Sequence, residues 1–497
     1  HPDCSVFCGH RIASVPGRHT SSAAGQALLR ASLFCLLCGC SSVYRKERAY
    51  IFIMPTLPPD FLNSLQGLPG FDEQAFVEAH EQTQRITSIR INPFKYSLPD
   101  FKLTEPVSWC KNAYYLTERP YFTHDPLFHA GCYYVQEAGS MFIEEVLRQC
   151  VDLRQNIRVL DACAAPGGKS TLINSLLSPG SMLVANEVVK NRAGILAQNL
   201  SRWGTANTVV TNNGTEKFSA LENYFDVIVV DAPCSGSGLF RKQPEAIHEW
   251  SPGAVVTCCR RQKEILNDVL PALKKNGLLI YSTCSYSKQE DEEIIEWLTN
   301  DMGTELVTLN TEPNQGIVDT GKGLRFYPHL TASEGFFCAA LRKTGGENFS
   351  TTKKTRPVHE NKKETAIINE FVHQQELQLV NDGGRLRLMN EAVHDFLTTT
   401  GKHFYFRKGG VLAGEIKGGE LVPDQELAWS FNLKESLPRM ELTLVDALRY
   451  LKKENVPVQT DKLGLHLVSY KNQGIGWAKC LPNRINNYLP NELRILR

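Results

Sequence analysis

From residue 157 to about residue 343 the chain keeps returning to short apolar runs of strand length. They cover 157–161, 182–186, 208–211, 226–231, 277–282, 306–309 and 336–342. Stretches with helical spacing lie between most of them, at 170–177, 190–203, 255–273 and 289–299. Regular alternation of strand and helix leaves few architectures open. It predicts an α/β fold, with a mostly parallel, Rossmann-like sheet covered on both faces. The last two runs have no clear helix between them, which predicts a hairpin at one edge. Such sheets bind ligands beyond the carboxyl ends of their strands. The residues just past each run are therefore where chemistry is expected.

The first run leads into Ala162-Cys163-Ala164-Ala165-Pro166-Gly167-Gly168-Lys169-Ser170. A strand, a turn of small residues and a helix make a pocket in which the backbone approaches a ligand closely. A phosphate-binding P-loop needs a glycine where this chain has Cys163, and the dinucleotide pattern of three spaced glycines is absent. Glu187 follows the second run, about twenty residues after the glycines, where an acid binds ribose hydroxyls. The two features together point to a nucleoside cofactor without a pyrophosphate clamp. S-adenosylmethionine is the natural candidate. The third run ends in Thr211-Asn212-Asn213-Gly214. In methyltransferase folds an acid here often contacts the adenine. None is present, so that contact falls to Asn213 or to backbone amides. Lys169 stands at a helix start, where the helix dipole disfavours a cation, and this points to a functional role.

Two cysteines follow the fourth and fifth runs, in Asp231-Ala232-Pro233-Cys234-Ser235-Gly236 and Ser282-Thr283-Cys284-Ser285. Two thiols there can face one substrate. No metal-ligand spacing surrounds them, so covalent chemistry is expected. Spacing alone does not decide which is the nucleophile. Cys163, Cys258, Cys259 and Cys338 read as small core residues.

The other regions are less regular. The chain has 497 residues, room for two or three domains. Its formal charge is only +1, so any nucleic-acid surface must be local. No apolar run reaches the length of a membrane span. The 15 cysteines show no repeated spacing, which fits reduced thiols and a cytoplasmic setting. Residues 1–53 read as an extension foreign to the rest, with Met54 as the natural start. Leu33 to Cys40 imitates a leader segment, and Cys35-x-x-Cys38 half of a zinc site. Residues 54–150 read as an amino-terminal α+β module, 151–343 as the catalytic domain and 344–364 as a linker. Within the first module, 71–85 reads as a helix and 121–128 as a loop. Residues 365–497 read as a second, strand-rich and modestly basic region. Arg241 and Lys242 are candidates for phosphate contact, and Tyr470, Trp477 and Tyr488 for stacking on bases.

Asp161 to Ser170, Asp231 to Gly238 and Thr283-Cys284-Ser285, in this order, resemble the NOL1/NOP2/Sun family of RNA cytosine-C5 methyltransferases. Supporting segments are Gln136 to Met141, Arg192 to Gly204, Pro328-His329 and Glu334-Gly335-Phe336-Phe337. The resemblance covers about 54–343. Residues 474–490 resemble the PUA-like tail of a bacterial small-subunit rRNA enzyme.

The family implies S-adenosylmethionine contacts from Cys163, Ala164, Ala165, Pro166, Gly167, Gly168 and Lys169, from Glu187 and Asp231, and from Arg192. It implies that Lys169 and Asp231 help to hold the cytosine. It assigns Cys284 as the nucleophile that adds to C6, and Cys234 as the base that lets the product go. Gly214 departs from the family, since many relatives have an acid there. RNA is the implied substrate, most readily a small-subunit rRNA, bound by a monomer without a membrane or metal. The same chemistry on tRNA, or a non-catalytic ribosome-assembly factor with this fold, are the alternatives.

Overall fold

The computed structural model describes residues 56–82, 86–95, 97–345, 361–373, 376–457 and 462–496. The extension 1–53, with its leader-like and Cys35-x-x-Cys38 signals, lies outside the described residues, as does most of the expected linker. The part of the linker that is described already folds. Asn361 caps a helix, Lys362–Ile368, by accepting from the Lys363 amide.

The central sheet carries five parallel strands: β1 (Arg158–Asp161), β2 (Met182–Asn186), β3 (Thr208–Thr211), β4 (Phe225–Asp231) and β5 (Leu273–Thr283). A sixth, β6 (Phe336–Lys343), runs antiparallel to β5. The order is β6-β5-β4-β1-β2-β3. Successive side chains of a strand point to opposite faces, and both faces are apolar here. Val159, Val227, Val229, Leu278 and Ile280 enter one core. Leu160, Ile228, Val230, Leu279 and Tyr281 enter the other. That is why the runs read as continuously apolar rather than alternating.

Helices α1 (Gly168–Leu176) and α2 (Lys190–Trp203) cover the first face through Leu172, Ile173, Leu196 and Leu200. Helices α3 (Pro252–Val269) and α4 (Glu292–Asp301) cover the second through Ile265, Leu266, Ile294 and Leu298. Helix α3 is shorter than its pattern suggests. Pro271 interrupts it, and β5 begins at Leu273 with an irregularity in its pairing to β4. Of the expected edge hairpin, the antiparallel pairing is present, between Thr304–Leu306 and β6. The connection is not tight, because Val318–Asp319 and Leu324–Phe326 come between and extend the sheet beyond β6.

The other end of the sheet was not foreseen. Only a short 3-10 turn, Thr215–Ala220, lies between β3 and β4. The helix Glu391–Thr400 fills that place, burying Val393 and Phe396 in the second core. Phe406–Gly409 then pairs antiparallel with β3. Residues from the carboxyl-terminal region thus complete the catalytic sheet.

Two four-stranded sheets follow in the carboxyl-terminal region: Gln378–Asp382 with Arg385–Met389, Val411–Lys417 and Glu420–Pro423, then Arg439–Glu441 with Gly464–Tyr470, Gln473–Leu481 and Arg484–Asn487. The amino-terminal sheet is built around Thr87–Ile91. It shares a core with the last sheet, where Ile89, Leu127 and Tyr133 pack with Tyr450, Val468 and Ile475. The expected loop 121–128 holds a 3-10 turn, Phe122–His124, and a helix, Pro126–Ala130. Asp125 caps that helix and Pro126 opens it. The expected helix 71–85 is Glu73–Glu81. No helix of the described residues is long and apolar enough to cross a membrane.

Candidate active site

Parallel pairing sets Asp231, the last residue of β4, beside Ser282 of β5. The ladder runs one step further, with the Ala232 amide donating to the Ser282 carbonyl at 2.8 Å. The two chains then turn away side by side. This brings the Cys234 and Cys284 sulfurs to 3.1 Å, both half-buried. Gly238 donates to the Cys284 carbonyl at 2.8 Å. A Cβ on Gly238 would stand 2.7 Å from that oxygen, so only glycine fits this close approach. The Cys284 sulfur, then burial, hold the Cys234 thiol well above its ordinary range.

Asp231 faces the same space. Its Oδ1 accepts from Ser282 Oγ at 2.8 Å, and its Oδ2 lies 2.8 Å from Lys169 Nζ. Burial opposes the charge on Lys169, but the Asp231 carboxylate outweighs it and the ammonium is held protonated. The cation also lies 5.3 Å from the Phe336 ring centre. The helix start that disfavours a lysine is thus offset by an ion pair and an aromatic face.

Glu290 ties the two cysteine loops together, and sequence reasoning missed it. It is fully buried before α4. Its Oε1 accepts from the Ser235 amide at 2.7 Å, and its Oε2 from Ser235 Oγ and Ser285 Oγ, each at 2.6 Å. Each serine directly follows one of the cysteines. Burial raises the Glu290 carboxyl above its usual range, against these hydrogen bonds. Gln262 of α3 adds a bond to the Pro233 carbonyl at 3.1 Å. The signal available in the sequence is an acidic run, Gln289-Glu290-Asp291-Glu292-Glu293, directly after a cysteine turn.

The cofactor side is built on the turn after β1. Gly167 has φ of 112°, a left-handed conformation suited to glycine, and α1 starts at the next residue. Ser170 Oγ donates to Asp161 Oδ2 at 2.6 Å, while Asp161 Oδ1 is buried without a hydrogen bond. Burial lifts the Asp161 carboxyl to about 7. Glu187 is buried past β2. Its Oε1 accepts from the Val189 amide at 2.8 Å, and Arg192 approaches Oε2 at 3.4 Å. Arg192 also donates to the Ala165 carbonyl at 2.9 Å. Asn213 is engaged elsewhere, since its amide group donates to the Tyr405 carbonyl and accepts from the Tyr405 amide, at 3.1 and 3.0 Å.

A family model described as 16S rRNA methyltransferase RsmB/F matches residues 148–342. Models of the RsmF N-terminal domain and the RsmF PUA domain match residues 57–138 and 437–495. The Ribosomal RNA small subunit methyltransferase F of Aliivibrio salmonicida is 31% identical over 468 residues, spanning 88% of this chain and 97% of that protein. The chain belongs to the RsmB/F methyltransferase family. A solved structure titled Crystal Structure of PH0851 is similar at a TM-score of 0.53 and 26% identity, over 58% of this chain and 66% of that one. The structure of NSun6 from Pyrococcus horikoshii with SFG is similar in fold, with a TM-score of 0.50 and 20% identity over 59% of this chain and 99% of that one.

S-adenosylmethionine is the cofactor of this RsmB/F-type enzyme, and the residues present fit it. Asp161 keeps an unpaired buried oxygen at the floor of the turn, and Glu187 has acceptor capacity left for ribose hydroxyls. The turn from Cys163 to Gly168 offers backbone at close range. Two surface expectations are corrected. Arg241 is buried and faces Glu334 at 3.6 Å, so it is not free for phosphate. Trp477 and Tyr470 are core residues that bond to the Asp424 carbonyl and to Asp100, because their strands lie inside the last sheet. Tyr488 remains exposed.

Proposed function

We propose that this chain methylates C5 of a cytosine in small-subunit (16S) ribosomal RNA, through a covalent adduct on Cys284 that Cys234 helps to resolve. The observation that carries this reading is the 3.1 Å approach of two thiols beside the Lys169–Asp231 pair. The relatives' printed name, small-subunit rRNA methyltransferase, supports the substrate.

Cytosine C5 is a weak nucleophile. A Cys284 thiolate adds to C6 and turns the ring into an enamine. When bound, S-adenosylmethionine supplies the electrophilic methyl that C5 takes. Asp231 accepts from both its neighbours, which suits it to accept from the cytosine N4 amino group as well. Cys234 then takes the C5 proton, the ring electrons return, and the carbon–sulfur bond to Cys284 breaks. Two adjacent sulfurs cannot easily both carry charge. Once Cys284 is bonded to carbon, its charge no longer opposes ionisation of Cys234, which gives its thiol proton to solvent and becomes the thiolate that takes the C5 proton. The base is released when it is needed. The target base must leave its stack to reach these groups. The amino-terminal module and the PUA region are the surfaces we assign to holding the RNA.

Small-subunit rRNA, cofactor and purified enzyme test this on a denaturing gel. Cys234→Ala should accumulate a covalent protein–RNA complex, and Cys284→Ala should form none. The reverse pattern would exchange the two roles, and no complex in either would remove the covalent mechanism.

A further inference from the structure

The adenine side of the pocket lacks the acid that this type of fold often places after its third strand, and Gly214 stands at that position. Gly214 has φ of −65° and ψ of 151°, a conformation open to any residue. Backbone freedom therefore does not explain the glycine, and the nearest neighbour that a side chain there would meet is the tip of Glu216. A Cβ on Gly214 would fall on the carboxylate of Glu216, with Cδ only 2.6 Å away and both oxygens nearer still. Glu216 folds back over Gly214 and puts its carboxylate where a side chain from position 214 would begin.

The surroundings leave that carboxylate available. It has no hydrogen-bond or ion-pair partner among the described residues, and Glu216 is exposed. The neighbouring amides are committed. Asn213 is paired with the main chain of Tyr405. Asn212 donates to the carbonyls of Glu187 and Val188 at 2.7 and 2.9 Å. The segment is also held in place. Thr215 Oγ1 donates to Asp268 at 2.6 Å, and Lys217 Nζ to the His403 carbonyl at 3.0 Å. Glu216 lies between these two anchors.

We propose that Glu216 replaces the missing acid and accepts a hydrogen bond from the exocyclic amine of the cofactor's adenine. This rests on S-adenosylmethionine being the cofactor. A carboxylate only accepts, so it favours an amine at that ring position and repels a carbonyl. Glu216 thereby makes the pocket selective for adenine over hypoxanthine.

Calorimetric titration of the full chain with S-adenosylhomocysteine and with S-inosylhomocysteine, its deaminated analogue, tests the proposal. Glu216→Ala should weaken S-adenosylhomocysteine roughly tenfold, the scale of one charge-assisted hydrogen bond. S-inosylhomocysteine should be unaffected or improved. Adding Gly214→Asp to Glu216→Ala should restore preference for the adenine ligand, since the space is then free. Unchanged affinity in Glu216→Ala, or equal losses for both ligands, would overturn the proposal alone. So would a double variant with no recovery. No binding by the unmodified chain would overturn the cofactor reading and the proposal with it.

Discussion

Single groups in this pocket show how burial tunes charge. Asp161 is wholly buried, and its carboxyl is lifted from the ordinary 3.8 to about 7. Between these two pH values the folded chain holds a proton that the unfolded chain has lost. Stability therefore falls as pH rises through that window and levels off above it. The whole effect is on the order of 4 kcal/mol. Asp161→Asn removes the titration and keeps the shape. Urea unfolding should show the unmodified chain losing stability relative to Asp161→Asn between pH 5 and pH 8. A constant difference would mean that Asp161 does not titrate there. The Cys234 thiol is tuned at closer range, raised first by its contact with the Cys284 sulfur and then by burial.

At the scale of elements, Glu290 fastens the turns after β4 and β5 to the start of α4. Glu290→Gln keeps the size but replaces one carboxylate oxygen with an NH2, so the Ser235 amide and the two hydroxyls no longer all find an acceptor. Both cysteine turns should loosen. The rate of adduct formation in the Cys234→Ala background should fall roughly tenfold to a hundredfold. Affinity for S-adenosylhomocysteine should be unchanged, and a matching loss there would point to general misfolding instead. Legibility in the sequence also divides at this scale. Apolar runs bounded by turn residues marked β2, β3 and α2 to the residue, because each is a local pattern. The cysteines and Asp231 were legible because they sit at or just past strand ends, Lys169 because it opens a helix after a glycine turn, and Lys169 and Asp231 do meet. Glu290 was hidden because its partners are backbone and hydroxyl groups up to 55 residues away. The pairing of Asn213 was hidden for a related reason, since Tyr405 lies 192 residues along the chain. Trp477 and Arg241 carry chemistry suited to RNA, but only burial reveals that they are committed inward.

For the whole molecule, the boundary between catalytic and carboxyl-terminal regions is not a boundary in the core. Phe396 is fully buried in the second core of the catalytic sheet, beside Tyr224, Phe404 and Phe406. Truncating it removes shared packing rather than local packing. Phe396→Ala should cost about 3–5 kcal/mol. Tryptophan fluorescence and cofactor binding should report one coincident unfolding transition at lower urea. Two separated transitions would show that the regions unfold independently. The Phe406–Gly409 strand beside β3 has a further consequence, for synthesis. When β3 leaves the ribosome, the strand that will cover its edge is still almost two hundred residues from being made. At ordinary elongation rates this interval lasts roughly 10–40 s. Throughout it the edge of β3 lacks the strand that covers it, and an unpaired edge invites wrong pairing, so a chain cut short before Phe406 is expected to aggregate more readily than the full chain.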